Sequence, residues 1–167
     1  DAFDISRIYK IADEFEVDYI IKGNGDEYQQ LGIIKESGFS FILPLNFPKS
    51  YEVSNPEEAE NITLEQLKHW ENAPYNPTIL ANNDITFSLT SSGYKNIKDF
   101  LTHLRKAVKK GLSKKDALAA LTTIPAQFVN AKNLIGSIES DKFANFIICS
   151  KDIFEDGVIY ENWVAGK

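Results

Sequence analysis

A chain of 167 residues with 43% hydrophobic and 25% charged residues suits one globular domain with a sizeable core, and is too short for most complete barrels, which run to roughly 250 residues. Its net charge of -6 argues against a nucleic-acid surface, since backbone binding needs a basic face and the lysines here are scattered among acids. The lone Cys149 excludes an intrachain disulfide and a thiolate metal cluster, and leaves the compartment open; apolar runs such as Phe39 to Leu45 are strand-length, so no membrane-spanning segment is expected.

Ile5, Ile8, Tyr9, Ala12 and Phe15 have helical spacing, with Asp4 as the expected N-cap. Val17 to Ile21 is a β-branched, aromatic run that stops at the turn cluster Lys22-Gly23-Asn24-Gly25, which predicts a strand feeding a loop. Asp26 to Ser37 returns to a helical period and ends at Gly38; Phe39 to Leu45 is a second buried strand. Asn46 to Ile62 has no period and is expected to be a functional or mobile loop. Thr63-Leu64-Glu65-Gln66 has the form of a capping box opening a helix through His69 and Trp70, which Pro74 and Pro77 should break before a short helix over 78–83.

Ile85 to Leu89 is a third strand, ending in the hydroxyls of Thr90, Ser91 and Ser92 and in Gly93. Helices are predicted over Lys98 to Lys110, stopped by Gly111, over Lys114 to Thr123, capped by Ser113, and from Ile124 to Val129. From Leu134 the texture changes: a turn at 135–138, a strand over 144–149 and an alternating strand over 158–164. Three strand-then-helix units followed by a small β unit predict an α/β fold with a parallel sheet, or a section of a (β/α) barrel.

In such folds ligands sit at the C-terminal tips of the strands. At the tip of the third strand stand uncharged hydroxyls, with no carboxylate, histidine or cysteine. His69 and His103 fall in the middle of amphipathic helices and read as surface or packing residues, so a histidine-based triad or zinc site is not expected. Lys22 stands at a strand tip, where an amine can act as base or Schiff-base former, although reaching solvent or a carboxylate is the simpler role. Asp26 and Glu27 suit a helix start through the macrodipole alone. Ser91 and Ser92 have no nameable base, and the glycines around Asn24 do not complete a phosphate loop. The basic run from Arg105 to Lys110, with Lys114 and Lys115, reads as a solvated face at helix ends.

The last third carries a resemblance. Gly111-Leu112-Ser113, then Ala117 to Ala126 closing in Thr122-Thr123-Ile124-Pro125-Ala126, then Ile135-Gly136-Ser137-Ile138-Glu139-Ser140-Asp141-Lys142-Phe143-Ala144-Asn145, and finally Trp163-Val164-Ala165-Gly166-Lys167, resemble the ending of metal-dependent amidohydrolases, within them the imidazolonepropionase-like branch. Asp141 stands where that family usually has glycine, and Asn145 where it usually has aspartate. Working back, Phe87 to Gly93 resembles the last barrel strand, with Ser92 in the place of a metal-binding, water-activating aspartate. Tyr19 to Gly23 resembles the strand that delivers a metal-binding histidine, with Lys22 in its place.

The resemblance implies that residues 1–133 are the C-terminal section of a TIM-like barrel, its last three strand-helix units, and that 134–167 are strands of the small β-sandwich domain. It implies a hydrolase acting on C–N bonds, with a divalent metal, zinc, in active relatives. A protonated lysine repels a divalent cation and a serine hydroxyl is a poor ligand for one, so no metal and no turnover are expected of this chain. Its expected partner is the missing N-terminal half of the parent, and a start at Asp1 suits a processed piece. Ser91, Ser92 and Asn24 are candidate substrate contacts at the rim. Open strand edges and an apolar inner face predict self-association. Two alternatives stay open: a pseudoenzyme whose barrel mouth binds a small molecule or peptide, and an independent α/β domain that shares the tail motif.

Overall fold

The computed structural model describes residues 2–55 and 59–167, with residues 2–4 described by their backbone alone. Three parallel strands, β1 (Ile20–Lys22), β2 (Ser40–Pro44) and β3 (Phe87–Thr90), form a sheet in the order β1-β2-β3. Ile21 pairs with Phe41 and Phe41 with Phe87, while Lys22 pairs with Ile42 and Ile42 with Ser88. Side chains alternate across a strand, so one face carries Ile21, Phe41, Leu43, Phe87 and Leu89, and the other Ile20, Lys22, Ser40, Ile42 and Pro44. The first face is the better packed: Phe41, Leu43 and Phe87 are buried and Ile21 and Leu89 half-buried, whereas on the second Ile20 and Lys22 are exposed, Ile42 is half-buried and Ser88 is buried.

The helices supply the cover. Helix α1 (Ala2–Phe15) contributes Ile5, Ile8 and Ala12; α2 (Leu31–Ser37), entered through a 3₁₀ turn at Glu27–Gln30, contributes Ile34. Helix α3 (Leu64–Asn72) is followed by a 3₁₀ turn (Ala73–Tyr75) and α4 (Asn76–Ala81), which buries Leu80. After β3 come α5 (Lys98–Lys109), with Leu104 and Ala107 buried, α6 (Lys114–Leu121), with Ala117 and Ala120 buried, and α7 (Thr123–Phe128). The alanines let α6 sit close against α7 and β3. No described helix is long and apolar enough to cross a membrane.

Several local expectations hold for the predicted reason. Thr63 Oγ1 accepts from Gln66 N and Gln66 Oε1 from Thr63 N, the two halves of a capping box. Ser113 caps α6 by accepting from Asp116 N. Gly38 ends α2 at φ 66°, where a Cβ would be strained. Others need correction. Asp4 lies inside α1 rather than capping it. The first strand begins at Ile20, because Val17 turns back to bond Ala12 O and leaves only 20–22 against β2. Pro74 and Pro77 do break the helix, which ends at Asn72, but each also sits in the first turn of a new segment, where a missing N–H costs nothing, so the short helix starts at Asn76 rather than at Thr78.

Past α7 the chain turns at 131–145 into an antiparallel pair, β4 (Phe146–Cys149) and β5 (Ile159–Trp163). Asp141 takes φ 68°, the left-handed region that favours glycine and costs other residues roughly 1–2 kcal/mol. Asn145 Oδ1 accepts from Ala165 N, tying the entry of β4 to the chain end. The basic run is partly structural: Arg105 donates to the carbonyls of Ile153 and Gly157, and Lys114 pairs with Asp152 and Glu155, so that α5 and α6 hold the segment between β4 and β5.

Candidate functional site

The tips of β1 and β3 come together across the end of β2. Lys22 is the last residue of β1, and Ser92 lies just beyond β3. Lys22 Nζ donates to Ser92 Oγ at 2.8 Å, in an exposed bond between residues 70 apart in sequence. Thr90 Oγ1 accepts from Ser92 N at 3.1 Å and holds the hydroxyl tip in a turn. Gly93, at φ 90°, passes close to the Asn46 side chain at the start of the long loop. Ser91 and Asn24 are exposed on the same rim, Ser91 adjacent to Ser92 in sequence and Asn24 two residues after Lys22.

The loop that carries Lys22 is pinned from beneath by Glu27, for which the macrodipole alone was a sufficient reading of the sequence. It is 5% exposed. Its Oε1 accepts from Asn24 N at 2.6 Å and Gly25 N at 3.1 Å, and its Oε2 accepts from Asn76 Nδ2 at 2.6 Å. Asn76, 1% exposed, accepts through Oδ1 from Tyr28 N at 2.8 Å. Both carboxylate oxygens are therefore committed to structure. A Cβ at Gly23 would collide with the Glu27 carboxyl and press on Leu43 Cδ2, so the loop needs glycine there for close approach. Sequence reasoning missed this cluster because Asn76 is 49 residues from Glu27 and nothing local marks either as buried.

Both imidazoles are packing residues. His69 stacks on Tyr28, with ring centroids 6.2 Å apart, and its Nδ1 lies 3.1 Å from the tyrosine hydroxyl. His103 Nδ1 lies 2.7 Å from Tyr94 Oη, beside the buried Phe47 ring. Burial lowers the pKa of His103, with Lys106 adding to the shift and a bond with the Leu45 backbone and the charge of Asp99 opposing it. Burial and then Asp99 raise that of Tyr94, which keeps its proton and can donate a hydrogen bond to Nδ1 of the neutral ring in the tautomer protonated at Nε2.

The sign of the resulting pH dependence follows from linkage. The unfolded chain protonates His103 near the ordinary 6.5 and the folded chain only below it, so this contribution to stability is present above about 6.5 and falls as pH drops toward the folded value. Denaturant melts of wild type and His103→Gln at pH 7.5 and 5.5 should show wild type losing more stability over that interval. Equal losses would remove the assignment.

The donor chemistry of the Lys22 and Ser92 pair does not suit a divalent cation: one group is itself a cation, the other a neutral hydroxyl. Among the described residues no group of three or more His, Cys, Asp and Glu side chains could hold a metal ion. What the pair can do is present hydrogen-bond donors. An ammonium has no acceptor, so Nζ must be the donor, and the Ser92 O–H is left free to point elsewhere.

Comparison with known proteins agrees with the tail motif. An amidohydrolase from Thermotoga maritima MSB8 superposes with a TM-score of 0.74 at 21% identity over 99% of this chain and 40% of its own. An uncharacterized protein and a prolidase complexed with N-methylphosphonate-L-proline superpose at 0.61 and 0.62, each 15% identical over 100% of this chain and 48% of their own. These likenesses concern the fold, and the chain spans only 40–48% of the length of those proteins. No curated protein matches the sequence. Residues 75–167, more than half of the chain, match the sequence model of the amidohydrolase family, whose members are generally metal-dependent, and the chain belongs to that family.

Proposed function

We propose that residues 1–133 form the last three strand-helix units of a TIM-like barrel, and residues 134–167 strands of a small β-sandwich domain, in an amidohydrolase-like protein of the imidazolonepropionase-like branch. In this reading Lys22 and Ser92 stand where relatives carry a metal-binding histidine and aspartate. Hydrolysis of C–N bonds belongs to the whole protein; this chain by itself binds no divalent metal and turns nothing over. The 2.8 Å bond between Lys22 Nζ and Ser92 Oγ carries the proposal, because two positions that share a cation in relatives should also meet when both have changed. The half-covered inner face of the sheet and exposed residues such as Ile147, Ile148, Ile159 and Tyr160 support it, as surfaces that the remainder of such a protein would cover.

Metal analysis tests this directly. After incubation with zinc and desalting, the purified chain should retain far less than one zinc per molecule. Stoichiometric zinc, lost on Lys22→Ala, would overturn the reading.

A second reading, in which the parent is a pseudoenzyme that binds a ligand at the barrel mouth, is favoured by Lys22: among the described residues no carboxylate pairs with this exposed ammonium. Histidines at His-x-His spacing in the remainder of the parent would favour the enzyme, and their absence the binder.

A further inference from the structure

We propose that Lys22 and Ser92 together form a seat for the carboxylate of a small ligand, with the ammonium supplying the positive charge that a metal supplies in relatives. This rests on the reading above, in which the pair occupies the cation's place.

Three observations converge on it. The first is the direction of the hydrogen bond. Nζ donates to Ser92 Oγ and keeps two further N–H groups, while the serine hydroxyl, its oxygen engaged by a cation, is polarised and free to donate outward. The pair thus offers two adjacent donors with donor atoms 2.8 Å apart, a spacing at which the two oxygens of one carboxylate can take one donor each.

The second is charge. The nearby acids do not neutralise Lys22: Glu27 has both oxygens committed to Asn24, Gly25 and Asn76, and Asp26, which lines the adjoining cleft of about 200 Å³, forms no ion pair with it. Among the described residues no carboxylate pairs with Lys22, so an anion meets an uncompensated cation at the rim. The third is rigidity. The Glu27 and Asn76 cluster fixes the backbone on one side of the seat, and the Thr90 turn fixes Ser92 on the other, so little ordering remains to be done on binding. Exposed Asn24 and Ser91 flank the pair and can contact the rest of a ligand.

The test is a titration of the whole chain at low salt with N-acetylglycinate, followed by the backbone amide resonances of Gly23, Ser92 and Gly93. N-acetylglycinamide, which lacks the carboxylate, and inorganic phosphate are run beside it. Saturable shifts are expected with the carboxylate and none with the amide. Lys22→Met should weaken binding by about tenfold, and Ser92→Ala by about threefold, the losses expected of a charged and a neutral donor. Both side chains are exposed, so both variants should melt as wild type does.

Three results overturn the inference: no saturable shift, shifts that persist unchanged in Lys22→Met, or phosphate binding as tightly as the carboxylate. If the carboxylate fails to bind while zinc is also absent, the seat is wrong and the reading of positions 22 and 92 stands. If zinc binds stoichiometrically, both fall.

Discussion

Replacing Glu27 with alanine is expected to destabilise the chain by about 3–5 kcal/mol, measured by urea denaturation at neutral pH. The carboxylate accepts three hydrogen bonds, from Asn24 N, Gly25 N and Asn76 Nδ2, and lies almost fully buried. Truncation leaves those donors without acceptors in a site where each unmet group costs about 1–3 kcal/mol, less whatever water enters to replace it. Glu27→Gln keeps the shape but trades one acceptor oxygen for an amide that meets other donors, so it should cost about 2 kcal/mol. Asn76→Ala removes one of the three donors to Glu27 and the acceptor of Tyr28 N, and should fall between them. If Glu27→Ala costs less than about 1 kcal/mol, Glu27 is not the support of the Lys22 loop. The gap between Ala and Gln matters as much as the total, because a helix-dipole role would treat the two alike.

Phe41→Ala is expected to cost about 3–5 kcal/mol. Phe41 is 1% exposed on the central strand, and its partners in register on the same face are Ile21 and Phe87. Removing the ring opens a cavity bounded by strands on both sides, which cannot close without breaking the pairing of the sheet. Ile42, the next residue, points to the opposite face and is only half-buried, so Ile42→Ala should cost under about 1.5 kcal/mol. Denaturant midpoints at two protein concentrations check both. An Ile42→Ala loss equal to that of Phe41→Ala would mean that the second face is covered in solution, for which another copy of the chain is the available occupant.

The residues most legible in the sequence were those whose role is settled within a few positions of the chain. Thr63 and Gln66 announce their capping box, Ser113 its helix, and Gly38 the end of α2. The Ile135 to Asn145 run was recognisable even where worn: Asp141 adopts a left-handed backbone, the conformation glycine favours, and Asn145 spans to Ala165 through its side-chain oxygen. Pro74 and Pro77 marked the break after Asn72, but proline also opens the next segment, which is why the short helix begins at Asn76 and not at Thr78.

By itself the sequence determined the order of strands and helices, the caps at Thr63 and Ser113 and the family, since each depends on local spacing or on a contiguous motif. The resemblance implied one shared site for positions 22 and 92, but the direct bond between Lys22 and Ser92 and the burial of Glu27 against Asn76 were decided by the tertiary structure. Those pairs are 70 and 49 residues apart, and their energies depend on which strand tips adjoin and on which groups lose water when the sheet and its helices close.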